Sequence, residues 1–254
     1  MGETFRAWRW RKPDGVLIIA LAAWAGLAVM LTASTVNGSR NQPSAWWCMP
    51  GMSRTSGSSL APPWTSAVTG LPMWAVMALA MMLPAAVPAA RHVALNSLSW
   101  RRGRAVSMFV AVYAAVWIAF GFVAMTAVAA LTLPSGGMLL VVALTVAGAW
   151  ELTPLKRRAL NRCHSTSPLP PKGWRAHLGV TRFALRHGGA CVASCWATML
   201  VMFTAQSGRL FWCMGFTATT AIDKLTLKPR RYTRLCAALL GGAAAMTAML
   251  LLAG

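Results

Sequence analysis

Met73, Met77 and Met81 fall four residues apart in the apolar run MWAVMALAMMLP, residues 73–84. A helix turns about 100° per residue, so these three thioethers share about 80° of arc, and Met82 points away from Met73. A second run repeats the spacing. Cys191, Cys195 and Met199 are again i, i+4 and i+8, Met202 returns near the angle of Cys191, and His187 precedes Cys191 by one turn on the same face. A third apolar run opens on Phe211-Trp212-Cys213-Met214, and a polar segment carries Trp46-Trp47-Cys48-Met49-Pro50-Gly51-Met52. Thiolate and thioether ligands select soft ions, above all Cu(I). Met and Cys also fill apolar interiors, so the spacing admits both an ion ladder and a packed core. The CxxxC of Cys191 and Cys195 is not the CxxC of a zinc knuckle.

The elements that must position these sulfurs are helices. Of 254 residues, 57% are hydrophobic and 11% charged, and 24 Lys and Arg stand against 4 Asp and Glu, a formal net charge of +20. In a soluble chain such charge would point to nucleic acid. Here several uncharged runs reach the 20 or so residues that cross a bilayer. The pattern predicts an all-α polytopic transmembrane bundle, a single integral membrane domain of about seven helices over roughly 15–36, 68–90, 105–132, 137–153, 188–206, 209–223 and 235–253. The run from Val16 follows a basic head but lacks a signal-peptidase site followed by a soluble domain, and is expected to stay as the first helix.

Basic residues crowd the head, 91–104, 154–187 and 224–234. With seven helices these four segments share one side, which the positive-inside rule makes cytoplasmic. The N-terminus is then cytoplasmic, the Ser-, Pro- and Trp-rich segment 37–67 extracytoplasmic, and 154–187 a basic cytoplasmic loop with an irregular Pro-rich middle. The charge needs no nucleic acid partner; attraction to anionic inner-leaflet lipids accounts for it. The expected place is the inner (plasma) membrane. Six cysteines, most at apolar spans, do not form the framework of a small secreted domain.

Few other residues bear chemistry. Glu151 and Asp223 lie at helix ends near Lys156 and Lys224, where an ion pair or a headgroup-level cap competes with the functional role that intramembrane carboxylates usually have. Of His92, His164, His177 and His187, only His187 is a candidate ligand, and Cys163-His164 is a suggestive pair that does not complete a site. No phosphate-binding loop, dinucleotide fingerprint or Ser-His-Asp arrangement is present.

The order of several motifs resembles a bacterial family described as predicted metal-binding integral membrane proteins, a domain of unknown function. The resemblance covers about residues 70–230. It rests on Met73-Trp74, Met77, Ala80-Met81-Met82-x-Pro84, Tyr113, Trp117, Gly148, Pro154-Leu155-Lys156, Cys163, Cys191, Cys195-Trp196, Met199, Gly208, Trp212 and Asp223-Lys224. It implies a polytopic helical fold and a metal site. The chain departs from the family pattern in having Ser194 where a second thiol precedes Cys195-Trp196, Arg209 where a Met is usual, and Asp223 in place of Glu.

The leading expectation is a Cu(I)-type site that binds, delivers or passes the ion. Its ligands are Met73, Met77, Met81, Cys191, Cys195, Met199 and Cys213, with Cys48, Met49 and Met52 as an outer capture site and with His187, Glu151 and Asp223 as further candidates. Two alternatives differ in class: a structural or accessory membrane subunit whose sulfurs only pack, and a copper-dependent membrane oxidoreductase, which would want histidine near the sulfurs.

Overall fold

The computed structural model of the chain describes residues 16, 18–26, 63–130, 137–165, 167–170, 173–204, 209–225 and 229–253. Cys48, Met49 and Met52 lie outside the described residues. Those described are all-α, with no strand. A helical stretch over residues 18–26 (α1) is followed by α2 (Pro63–Leu95), a 3-10 turn (Ser99–Arg101), α3 (Arg102–Ala130), α4 (Gly137–Leu152), α5 (Pro154–His164), α6 (Gly173–Thr204), α7 (Arg209–Leu225) and α8 (Pro229–Ala253).

Four stretches are long and apolar enough to cross a membrane: Gly70–Leu95, Ser99–Val128, Gly173–Thr204 and Thr233–Leu252. The pair α4 and α5, bent by 67°, would make a fifth. Three prolines, Pro72, Pro84 and Pro88, lie inside the 33 residues of α2. Each removes one backbone bond, a loss that apolar helices tolerate when neighbours re-satisfy the freed groups.

The chain folds so that α6 is central. It packs against α3, α4, α5 and α7, while α2 packs against α3 and α7, and α4 against α8. The core is aromatic and thioether-rich. Trp74, Tyr113, Trp117, Met81, Met82, Met199 and Met202 are among its largest fully buried side chains. By contrast α8 leaves Leu235, Leu239, Met246, Met249 and Leu250 exposed.

Two expectations are corrected. The basic segment 154–187 is not a loop, because α5 occupies 154–164 and α6 begins at Gly173, fifteen residues before the expected 188. Hydropathy marks only the apolar part of a helix, and a basic amphipathic continuation escapes it. The seven-helix pattern therefore gains α5. The middle, residues 165 and 167–170, is non-helical, as its prolines require.

The start of α5 has a local cause. Thr153 precedes Pro154, which holds it extended at φ −70°, ψ 146°, as the residue before proline prefers. Its hydroxyl donates to the Trp150 carbonyl at 2.8 Å and accepts from the Lys156 N–H at 3.3 Å. One side chain thus caps the end of α4 and the start of α5, and Pro154 costs nothing at the first helical turn.

Candidate metal centre

The sulfur face of α6 is a buried face. Cys191 and Met199 are fully enclosed, and Cys195 and Met202 nearly so. The hydroxyls beside them serve the backbone: Ser194 donates to the Cys191 carbonyl at 2.8 Å and Thr198 to the Cys195 carbonyl at 2.7 Å. Ser194 Oγ also lies 3.3 Å from Cys195 Sγ. That is the position where the resembling family carries its second thiol.

On α2, Met77 and Met81 are buried and Met73 is half-buried. Met82, off the stripe, is as fully enclosed as Met81, because α3 and α7 both pack on this helix. Burial alone therefore does not separate the stripe from its neighbours. α7 joins the two sulfur helices by packing on each, and its Cys213 is buried with its carbonyl held by Thr217 Oγ1 at 2.7 Å. α2 also reaches α6 directly. Trp74 stacks on Phe203 at 4.8 Å, and its Nε1 donates to the Trp117 carbonyl of α3 at 2.9 Å.

Where this sulfur face begins, near the middle of α6, lies a further thiol, which the sequence pairs only with His164. Cys163, in the last turn of α5, stands with its Sγ 3.8 Å from Cys191 Sγ. Both are thiols rather than halves of a disulfide. Beside them a cavity of about 120 Å³ is lined by His92, Cys163, His164, Phe183 and His187, among others. His187 is held among the rings of Phe109, Tyr113 and Phe183, with centroids 5.9–6.0 Å away. It is 6% exposed, and neither ring nitrogen has a hydrogen-bond partner among the described residues. His92 is differently employed: its Nε2 meets the Ser167 carbonyl at 3.0 Å and its Nδ1 the Asn96 amide at 3.3 Å. Among the described residues, no three His, Cys, Asp or Glu side chains converge as ligands of one ion.

Glu151 and Asp223, the other two candidates, are brought together by a cation. Lys156 Nζ pairs with Glu151 Oε2 and, at 2.8 Å, with Asp223 Oδ2. All three residues are buried. The bend at Thr153-Pro154 places the last turn of α4 against the first turn of α5, and α7 supplies Asp223 from 67 residues away. The ion-pair reading of these carboxylates holds, in the interior of the bundle and with one shared partner.

A family model described as "Copper chaperone", PpoB2, matches residues 71–247. No curated protein and no solved structure matches the chain. The matched span holds both sulfur helices, Cys163 and the buried ionic triad.

Proposed function

Starting from a chain that belongs to the PpoB2 copper chaperone family, we propose that it is an integral membrane protein that takes up copper as Cu(I) on buried Met and Cys side chains and hands it on. The observation that carries this is the unbroken sulfur face of α6, where Cys191, Cys195, Met199 and Met202 are all buried. Over the twelve residues from Cys191 to Met202 that face runs about 16 Å along the helix axis. Met77 and Met81 of α2 and Cys213 of α7 extend it from the neighbouring helices, and Met73, Cys48, Met49 and Met52 would form its outer end. Thioethers and thiolates suit Cu(I) and discriminate against the harder divalent ions.

Four long apolar helices support the membrane setting. The basic residues of 91–104, 154–187 and 224–234 support a cytoplasmic face for that end, where anionic headgroups attract them. The N-terminus is then cytoplasmic, and the protein sits in the inner membrane.

The test is Cu(I) titration of the purified chain in detergent against a chromophoric Cu(I) chelator. At least about one tightly held ion per chain is expected, and the Cys191→Ala/Cys195→Ala pair lowers it. A wild-type chain that holds no Cu(I), together with a double variant that changes nothing, overturns the reading. The enclosure of Met82 beside Met81 favours a second reading, in which the α2 thioethers only pack. It predicts that joint replacement of Met73, Met77 and Met81 by Leu leaves copper binding and copper-dependent growth intact, since Leu and Met are near-isosteric.

A further inference from the structure

The outer part of the sulfur line accounts for neither Cys163 nor the unpartnered His187. Cys163 lies on a different helix from the line, 28 residues before Cys191. It is brought to Cys191 because α5 folds back against α6. With metal–sulfur bonds of about 2.3 Å, two sulfurs on one ion stand about 3.8 Å apart at a tetrahedral angle and about 4.6 Å apart when linear. The observed 3.8 Å lies within that interval, at its short end. The pair is therefore already spaced to share an ion.

His187 is the second, independent observation. An imidazole buried to 6% exposure with both nitrogens unpartnered carries an uncompensated desolvation cost. It lines the same cavity as Cys163, His92, His164 and Ser165. Gly188 fixes this placement. A Cβ there would come within 3.2 Å of Val116, so the glycine is what lets α6 press on α3 at this level.

We infer that Cys163 and Cys191 form a two-thiolate Cu(I) site where α5 folds against α6, with His187 on the wall of the adjoining cavity, and that this is the station from which copper leaves. The inference rests on the copper reading above and adds a site to it. Two thiolates suffice for Cu(I), a d10 ion that is stable with two or three ligands. A structural Zn(II) site wants four.

Cys163 is half-buried and His164 beside it is exposed, so an acceptor's thiol can approach from the cavity side. Release is then a ligand exchange in two steps. One acceptor sulfur forms a bond to copper as the Cys163–copper bond breaks, a second displaces Cys191 in the same way, and each acceptor thiol's proton passes to the thiolate it displaces. Copper stays Cu(I) throughout, and no electron moves.

The experiment uses the full chain in detergent, anaerobic and reduced, with Cu(I) and Zn(II) as probes. Cys163→Ser is compared with wild type and with Cys236→Ser, a half-buried thiol on α8. Loss of a direct ligand is expected to weaken one Cu(I) by at least about tenfold, since loss of a supporting group alone costs that much. Copper-edge X-ray absorption should lose sulfur neighbours in the Cys163 variant only. Zn(II) in excess should not displace the ion.

Alkylation of Cys163 in the wild-type chain, followed by mass spectrometry, gives a readout that needs no variant to fold: Cu(I) should slow it. If wild type binds Cu(I) but Cys163→Ser retains it unchanged and Cys163 alkylates at the same rate with and without copper, this site is wrong and the copper reading survives. If wild type binds no Cu(I), both fall.

Discussion

Replacing Lys156 by Met is expected to destabilise the protein by about 3–5 kcal/mol, the usual cost of removing one partner from a buried ionic group. Lys156 is the shared partner of two of the four acidic residues in the chain. Without it Glu151 and Asp223 face each other in the interior as like charges, and Asp223 Oδ1 already lacks a hydrogen-bond partner among the described residues. The triad also ties three helices, so its loss should release α5 from α4 and α7 together. Thermal unfolding in detergent, followed by the fluorescence of the 13 tryptophans, measures it.

Two controls sharpen the result. Asp223→Asn leaves the Lys156–Glu151 pair intact and should cost less than Lys156→Met. Combining Lys156→Met with Glu151→Gln and Asp223→Asn should recover much of the loss, because no uncompensated charge then remains. A Lys156→Met chain as stable as wild type would show that these groups do not rely on one another. A stable triple variant that no longer handles copper would show that the triad serves function beyond folding, the default expectation for ionisable groups inside a membrane.

What was legible in the sequence follows from what hydropathy measures. The apolar runs of α3, α4 and α7 appear within a few residues of their bounds, since burial in lipid or core demands the same composition. The first half of α6 was missed because Arg175, Arg182 and Arg186 face outward, and a helix with a solvated basic face reads as a loop. α5 was missed for the same reason, although Thr153-Pro154 carried a start signal for it. That omission propagated. Read as part of a loop, 154–164 gives Cys163 no defined neighbour, and only the fold-back of α5 on α6 brings it to Cys191. His187, by contrast, was legible from periodicity alone, because it lies one helical turn from Cys191. The acidic residues were legible as ion pairs in kind. Their sharing of Lys156 was not, since that depends on where α7 crosses.

Gly121→Ala is the second change expected to act strongly, and it reads out the part of the bundle around Trp74. A Cβ on Gly121 would lie 2.0 Å from Trp74 Nε1, 2.2 Å from its Cδ1 and 2.6 Å from its Cε2. Real Cβ atoms do not approach so closely, and the indole is not a flexible tip that can swing aside. It is fully buried, stacked on Phe203 at 4.8 Å, tilted against Phe120 at 6.0 Å, and hydrogen-bonded to the Trp117 carbonyl. Accommodating one methyl group therefore means moving α3 from α2 or breaking that bond and stack. Overpacking of this kind costs about 1–3 kcal/mol, and a lost buried hydrogen bond adds about 1–3 more. The measurement is a double-mutant cycle with Trp74→Phe, which removes the atoms nearest the new methyl. If Trp74 is the obstacle, Gly121→Ala should cost far less in the Trp74→Phe background, and the two changes should be strongly non-additive. Trp74 lies between Met73 and Met77 on α2 and touches the end of α6 just past Met202. If it also holds those sulfurs in register, the same substitution should loosen Cu(I) near Met77 and Met202 and leave the alkylation of Cys163 unchanged.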